Sequence, residues 1–166
     1  MASTSHMYSR LLLTGASGGL GRVLRPRLKG RCDILRVSDL GNLGEANAGE
    51  EVMPTPLQDR PAVFKLLEGV DAVIHLAGAG VGDKRWTKKY KAEILNSRLL
   101  GTTTIANAVA QVKPKVFISS SAIGWYGETG NRAVTESDRG GDDFLAAVCR
   151  EWEAAADLAG DVRTVK

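Results

Sequence analysis

Histidine and cysteine are nearly absent from this chain, with two of each among 166 residues. His6 sits in the opening "MASTSHM", which reads as an expression-vector remnant covering residues 1–7. Native sequence is then expected to begin near Tyr8, leaving His75 alone for chemistry. One histidine argues against a histidine-based metal centre or catalytic triad. Cys32 and Cys149 lie far apart without metal-ligand spacing, so no metal is expected. They fit reduced thiols in a cytoplasmic protein. No apolar run approaches the roughly 20 residues of a bilayer span. No secretory signal, internal repeat or low-complexity tract is visible. The net charge of +3 is small. It hints at anionic ligands without arguing for nucleic acid. Neither a nucleic-acid nor a membrane partner is expected.

What is present is more decisive. Hydrophobic residues make up 43% and charged residues 25%, as in a globular domain with a sizeable core. The stretch "LLLTGASGGLG" places an apolar run, Leu11–Leu13, directly before Gly15, Gly18 and Gly21. The helical pattern "RVLRPRLK" follows. A strand, a tight glycine turn and a helix are what a dinucleotide pyrophosphate needs. Glycines let the backbone approach phosphate oxygens, and the helix start aims unpaired N–H groups at the same place. After a second apolar run, "DILRVSD" ends in Asp39, where an acid would accept hydrogen bonds from an adenosine ribose. An ordinary glycine turn remains the plain alternative.

Short apolar runs alternate with helical patterns along the whole chain. Strands are expected at Arg10–Thr14, Asp33–Ser38, Glu51–Pro54, Ala72–Leu76 and Lys115–Ser120, with a sixth at Val162–Val165. Helices are expected at Leu20–Lys29, Asp59–Leu67, Lys88–Val112 with a break left open, and Asp142–Ala159. This alternation predicts an α/β fold: a doubly wound, Rossmann-like parallel sheet with helices on both faces. The glycine-rich segment Leu40–Glu51 reads as a surface loop. The segment "DKRWTKKYKAE" mixes basic and aromatic residues, and a solvated face at a helix start explains it better than nucleic-acid contact.

The set "TGASGGLG", "HLAG" at His75–Gly78 and "SSSAIGWYG" at Ser119–Gly127 resembles the extended short-chain dehydrogenase/reductase superfamily of NAD-dependent epimerases and dehydratases. The N-terminal part is similar to uronate dehydrogenases. "GDKRWT", "SRLLGT" and "SAIGWYGETG" are similar to an atypical epimerase-family branch. That two-branch likeness leaves an engineered mosaic open. By this resemblance, Gly15, Ser17, Gly18, Gly19, Leu20 and Gly21 form the phosphate turn, and Leu57, Ala77 and Gly78 line the cofactor. Asp39 would repel a 2′-phosphate and favour NAD over NADP, although Arg22 and Arg36 lie nearby in sequence and keep NADP open. His75 itself is explained by ending a buried strand. Pro56 stands where the family carries an adenine-binding Asp, and Asp59 is better explained as a helix cap.

The resemblance also implies a catalytic Ser, Tyr and Lys. A cation beside the phenol favours phenolate, which is the reason for the Tyr–Lys pair. Ser121 matches the serine. Leu145 and Cys149 fall where the Tyr–Lys pair belongs, and neither replaces its counterpart. Tyr126 is the remaining phenol close to Ser121, with packing of Trp125 and Tyr126 on a neighbouring loop as the plainer explanation. Cys149 is expected in the core, and Asp142 and Asp143 at a helix cap. Arg98 replaces an asparagine that the family uses beneath its active site. The resemblance further implies a substrate domain after the sixth strand. The expectation is therefore one dinucleotide-binding domain, 8–166, lacking that domain, with little turnover on a sugar or nucleotide sugar. An uncovered sheet edge would invite homodimers. A non-catalytic dinucleotide sensor or scaffold, or an engineered Rossmann fragment, stands as the alternative.

Overall fold

The structure is a computed structural model that describes residues 6–166. The expected tag remnant at 1–7 thus lies outside the described residues except for His6 and Met7. The apolar runs form six strands: β1 (Tyr8–Thr14), β2 (Cys32–Ser38), β3 (Glu50–Val52), β4 (Ala72–His75), β5 (Val116–Ser119) and β6 (Thr164–Val165). All pairs are parallel, in the order β3-β2-β1-β4-β5-β6. The chain runs outward from β1 to β3, then crosses back to place β4 on the other side of β1. That reversal opens a crevice at the carboxyl ends of β1 and β4, where doubly wound sheets bind ligands.

Alternation within each strand divides the core. Leu12, Val73 and Phe117 pack on α2 (Arg60–Leu67), α3 (Lys88–Val112) and α4 (Phe144–Asp157). Leu11, Leu13 and Val37 face the other side, under Leu43 and under Leu28 at the end of α1 (Gly19–Arg27). Arg25 ties the loop before β3 to α1 through Glu50 (2.8 Å) and the carbonyl of Leu43 (2.6 Å). That hydrogen-bonded guanidinium holds the Glu50 carboxyl down at about 2. On this second face the cover thins at β5, where Ile118 and its register partner Val165 are exposed. The sheet edges are β3 and β6, and the expected pairing between copies concerns the latter.

Helix ends follow local chemistry. Asp59 and Asp143 accept hydrogen bonds from Ala62 and Ala146 and cap α2 and α4, and Thr87 caps α3. The break left open in α3 does not occur: its 25 residues are continuous up to Lys113, whose left-handed φ of 55° precedes Pro114. A short 3₁₀ turn at Ile123–Tyr126 was not anticipated.

The strand ends line up in register, Ser38 with Thr14, Thr14 with His75, and His75 with Ser119. His75 is fully buried between the hydroxyls of Thr14 (2.7 Å) and Thr102 (2.9 Å). Burial pushes its imidazole down to about 4. Between that value and its ordinary one the unfolded chain binds a proton that the folded chain does not. Its contribution to stability is therefore full above about pH 6.5 and falls by about 3 kcal/mol as pH drops to 4. Glu50, lowered from an ordinary 4.5, begins to lose its contribution only near pH 4.5, so the slope between about pH 6.5 and 5 belongs to His75. Urea unfolding from pH 7 to 4 is expected to show this slope. His75→Gln, which keeps a hydrogen-bonding group for both threonines, is expected to flatten it; an unchanged slope would show that His75 is not the group responsible.

Candidate functional site

The β1–α1 turn is built by backbone contact. Gly15 has φ of 71°, and a Cβ there would meet the Ala77 nitrogen and the Leu76 carbonyl carbon at 2.7 Å. A Cβ on Gly21 would lie 2.1 Å from the Gly15 carbonyl oxygen. These two glycines are demanded by the protein's own close approach of α1 to β1 and β4. Gly18 and Gly19 differ. Added Cβ atoms would meet the Gly15 oxygen at 3.3 Å and nothing within 4 Å, respectively. Their lack of side chains leaves space above the turn. Gly18 offers no side-chain cap to α1, and the first turn of that helix carries no acid. Its N–H groups and positive dipole end are left facing that space.

A cavity of about 650 Å³ opens there, within the range of small-molecule sites. The turn residues Gly15, Ser17, Gly18, Gly19, Leu20 and Gly21 line it. Asp39 lines it beyond β2, Leu57 beyond β3, and Ala77 and Gly78 beyond β4. All ten residues expected at a cofactor thus border one crevice. Room for a phosphate above uncapped amides and an elongated crevice across the strand ends fit a dinucleotide.

Asp39 has a structural task as well. Its carboxylate accepts from the N–H groups of Ser17 (3.0 Å), Leu40 (2.7 Å) and Gly41 (3.1 Å), joining the β2 end to the glycine turn. Burial alone would raise its carboxyl, but these hydrogen bonds outweigh burial and hold it below the usual range. The cations placed nearby by sequence are elsewhere. Arg36 is buried against Glu51 (2.7 Å) and the Leu66 carbonyl (2.7 Å), and Arg22 borders a separate depression beside Arg25 and Glu50. Neither arginine lines the cavity, so its Asp39 end carries a carboxylate without either of them.

The far end was not legible in the sequence. There Gly80, Asp83, Glu93 and Ser97 line the cavity, and Thr55 and Gln58 join at the near end. The β4–α3 loop brings the first group together and is braced from α3. Ser97 Oγ accepts from Ala79 N–H (3.0 Å), Arg98 donates to the Ala79 carbonyl (2.8 Å), and Tyr90 donates to the Gly80 carbonyl (2.5 Å). Trp86 donates to the Val81 carbonyl (2.8 Å). The aromatic residues of the basic segment thus hold this loop, while Lys84 and Lys91 lie over their rings. Gln58 directly follows Leu57, and that adjacency was the one available signal.

Ser121 and Tyr126 do not line the cavity. Ser121 donates to Glu153 Oε1 on α4 (2.5 Å), a pairing not anticipated. Trp125 packs on Gly140, and Tyr126 is half-buried at the end of the 3₁₀ turn. Cys149 is buried, and burial pushes its thiol up. Leu145 packs beside it against Gly124. Among the described residues no cluster of potential metal ligands occurs, and no helix is long and apolar enough to cross a membrane.

Residues 11–144 match the model of the NAD dependent epimerase/dehydratase family. The chain belongs to this family. It is 36% identical over 143 residues to an epimerase family protein of Mycobacterium leprae, covering 86% of this chain and 45% of that protein. It is 44% identical over 128 residues to a uronate dehydrogenase of Pseudomonas putida, covering 74% of this chain and 45% of that one. A solved mutated uronate dehydrogenase superposes with a TM-score of 0.81 at 32% identity, over 95% of this chain and 57% of the other. The chain spans about half the length of the curated relatives it matches.

The two kinds of glycine in the turn should separate on substitution. Gly21→Ala is expected to cost several kcal/mol, on the order of 3, because backbone must move. Gly19→Ala is expected to change stability by less than about 1 kcal/mol, since its Cβ meets open space and alanine favours helix. Urea unfolding of both variants checks this, and equal losses would contradict the contact assigned to Gly21.

Proposed function

We propose that residues 8–166 form a single dinucleotide-binding domain of an oxidoreductase of the extended short-chain dehydrogenase type. NAD is the expected cofactor, and a sugar or nucleotide sugar the substrate class of the whole protein. The carrying observation is the cavity at the sheet's reversal point, floored by Gly18 and Gly19 above an uncapped helix start. The Asp39 carboxylate supports NAD over NADP, because a 2′-phosphate would approach an anion that no neighbouring arginine offsets. A bound nicotinamide supplies hydride acceptance. This chain's residues hold the ligand, orient it along the strand ends and exclude water beneath it.

Little turnover is expected from this chain. Leu145 and Cys149 stand where the family's proton-transfer pair belongs, and Ser121 is turned to Glu153. That engagement of Ser121 favours a second reading, a dinucleotide-responsive module without catalysis of its own.

Asp39→Asn removes the charge and keeps one acceptor oxygen for Leu40 and Gly41, at the loss of the bond from Ser17. It should improve NADPH binding relative to NADH by about tenfold, the scale of one lost close repulsion. An unchanged ratio would contradict the ribose placement. Assays of the purified chain with NAD and uronic acids or nucleotide sugars should show no turnover above background. A rate that falls on the order of 10²-fold in Ser121→Ala would instead establish Ser121 as catalytic.

A further inference from the structure

Arg98, on α3, is a half-buried cation that braces the β4–α3 loop. Among the described residues it makes no ion pair with a carboxylate. Its guanidinium donates to the carbonyls of Ala79 (2.8 Å) and Ile94 (3.2 Å) and lies 5.0 Å above the Trp152 ring. Its side chain packs directly beneath Gly78, whose Cβ, if present, would meet Arg98 Cγ at 3.2 Å and Cζ at 3.3 Å. Gly78 and Ala79 are the cavity wall, and the preceding residue Ser97 lines the cavity itself. A full positive charge is thus held one backbone layer behind the wall. Burial strips water from that charge and lowers its proton affinity, so screening there is weak.

The ligand's orientation gives this charge a meaning. With a ribose at Asp39 and the pyrophosphate at the start of α1, the remaining end of a dinucleotide reaches across β1 to the wall beyond β4. That end is the nicotinamide ring, positively charged when oxidised and neutral when reduced. Asp83 and Glu93 line the same end and draw the ring the other way, Glu93 while facing Lys84 at 3.6 Å. We propose that Arg98 is a specificity residue that reads the oxidation state of the cofactor, disfavouring the cationic ring and so favouring NADH over NAD. This rests on the dinucleotide reading of the cavity, and not on turnover.

The test is the ratio of dissociation constants for NAD and NADH, measured by calorimetry on the chain and on two variants. Arg98→Gln removes the charge and keeps an N–H donor for Ala79. Arg98→Lys keeps the charge and loses the planar fork. Arg98→Gln should lower the NAD to NADH ratio about tenfold, as Coulomb's law gives for a unit charge removed from roughly 8 Å at an effective dielectric near 30. Arg98→Lys should retain most of the original ratio. Should Arg98→Gln not fold, Arg98→Met, which preserves the contact with Trp152, serves the same comparison. A variant that weakens both forms equally, or changes neither, would overturn the proposal and leave Arg98 as a brace for Ala79. If the unaltered chain binds neither form, the dinucleotide reading itself fails, and this proposal with it.

Discussion

The approach of α1 to the end of β1, with the Gly15 carbonyl where a Gly21 Cβ would be, is the constraint on which the site depends. No side chain at Gly21 can be accommodated without moving backbone. The same turn seats Gly15 on the Leu76–Ala77 peptide, so β1, α1 and the end of β4 are fixed by backbone alone. Backbone contact of this kind leaves no rotamer freedom. It aims the uncapped amides of α1 at the crevice that the sheet reversal opens. Asp39 extends the arrangement to β2 through three N–H groups. Its carboxylate is therefore both a fastener of the turn and the charge that a ribose would meet.

Below the turn, the row Ser38, Thr14, His75 and Ser119 marks where strand pairing stops and loops begin. His75 links this row to Thr102 on α3, and α3 in turn holds the β4–α3 loop through Tyr90, Ser97 and Arg98. The two ends of the crevice are thus supported differently. The near end rests on glycine packing, the far end on side chains of one long helix. A change at Gly15 or Gly21 acts first on folding, whereas a change at the far end acts on what the wall presents to a ligand.

Much of this was legible from residues alone because the signals are local. Apolar runs bounded by glycine and aspartate placed β1, β2, β4 and β5 within two residues, and Asp59 and Asp143 announced their caps. The near end of the site followed from glycine spacing and Asp39. Other features depend on tertiary packing. The polar edge strand β3 proved shorter than expected, and the 3₁₀ turn arises where Trp125 meets Gly140 and Gly141. Asp83, Glu93 and Ser97 converge only because the loop doubles back on α3. Arg36 looked available to a cofactor in sequence, yet register places it beside Leu12, on the face covered by α2. The Ser121–Glu153 pair spans 32 positions and has no local mark.

The central claim is that one crevice, from Asp39 past the glycine turn to Ala79, holds a dinucleotide. Amide chemical-shift mapping of the isotopically labelled chain on addition of NADH tests it most directly. Saturable shifts are expected at Gly15–Gly21, at Leu40–Gly41 and at Ala77–Ala79, with the edge strand β6 unmoved. Saturation confined to other surfaces, or no shift at millimolar NADH, would contradict it and leave the glycine turn as a folding element alone.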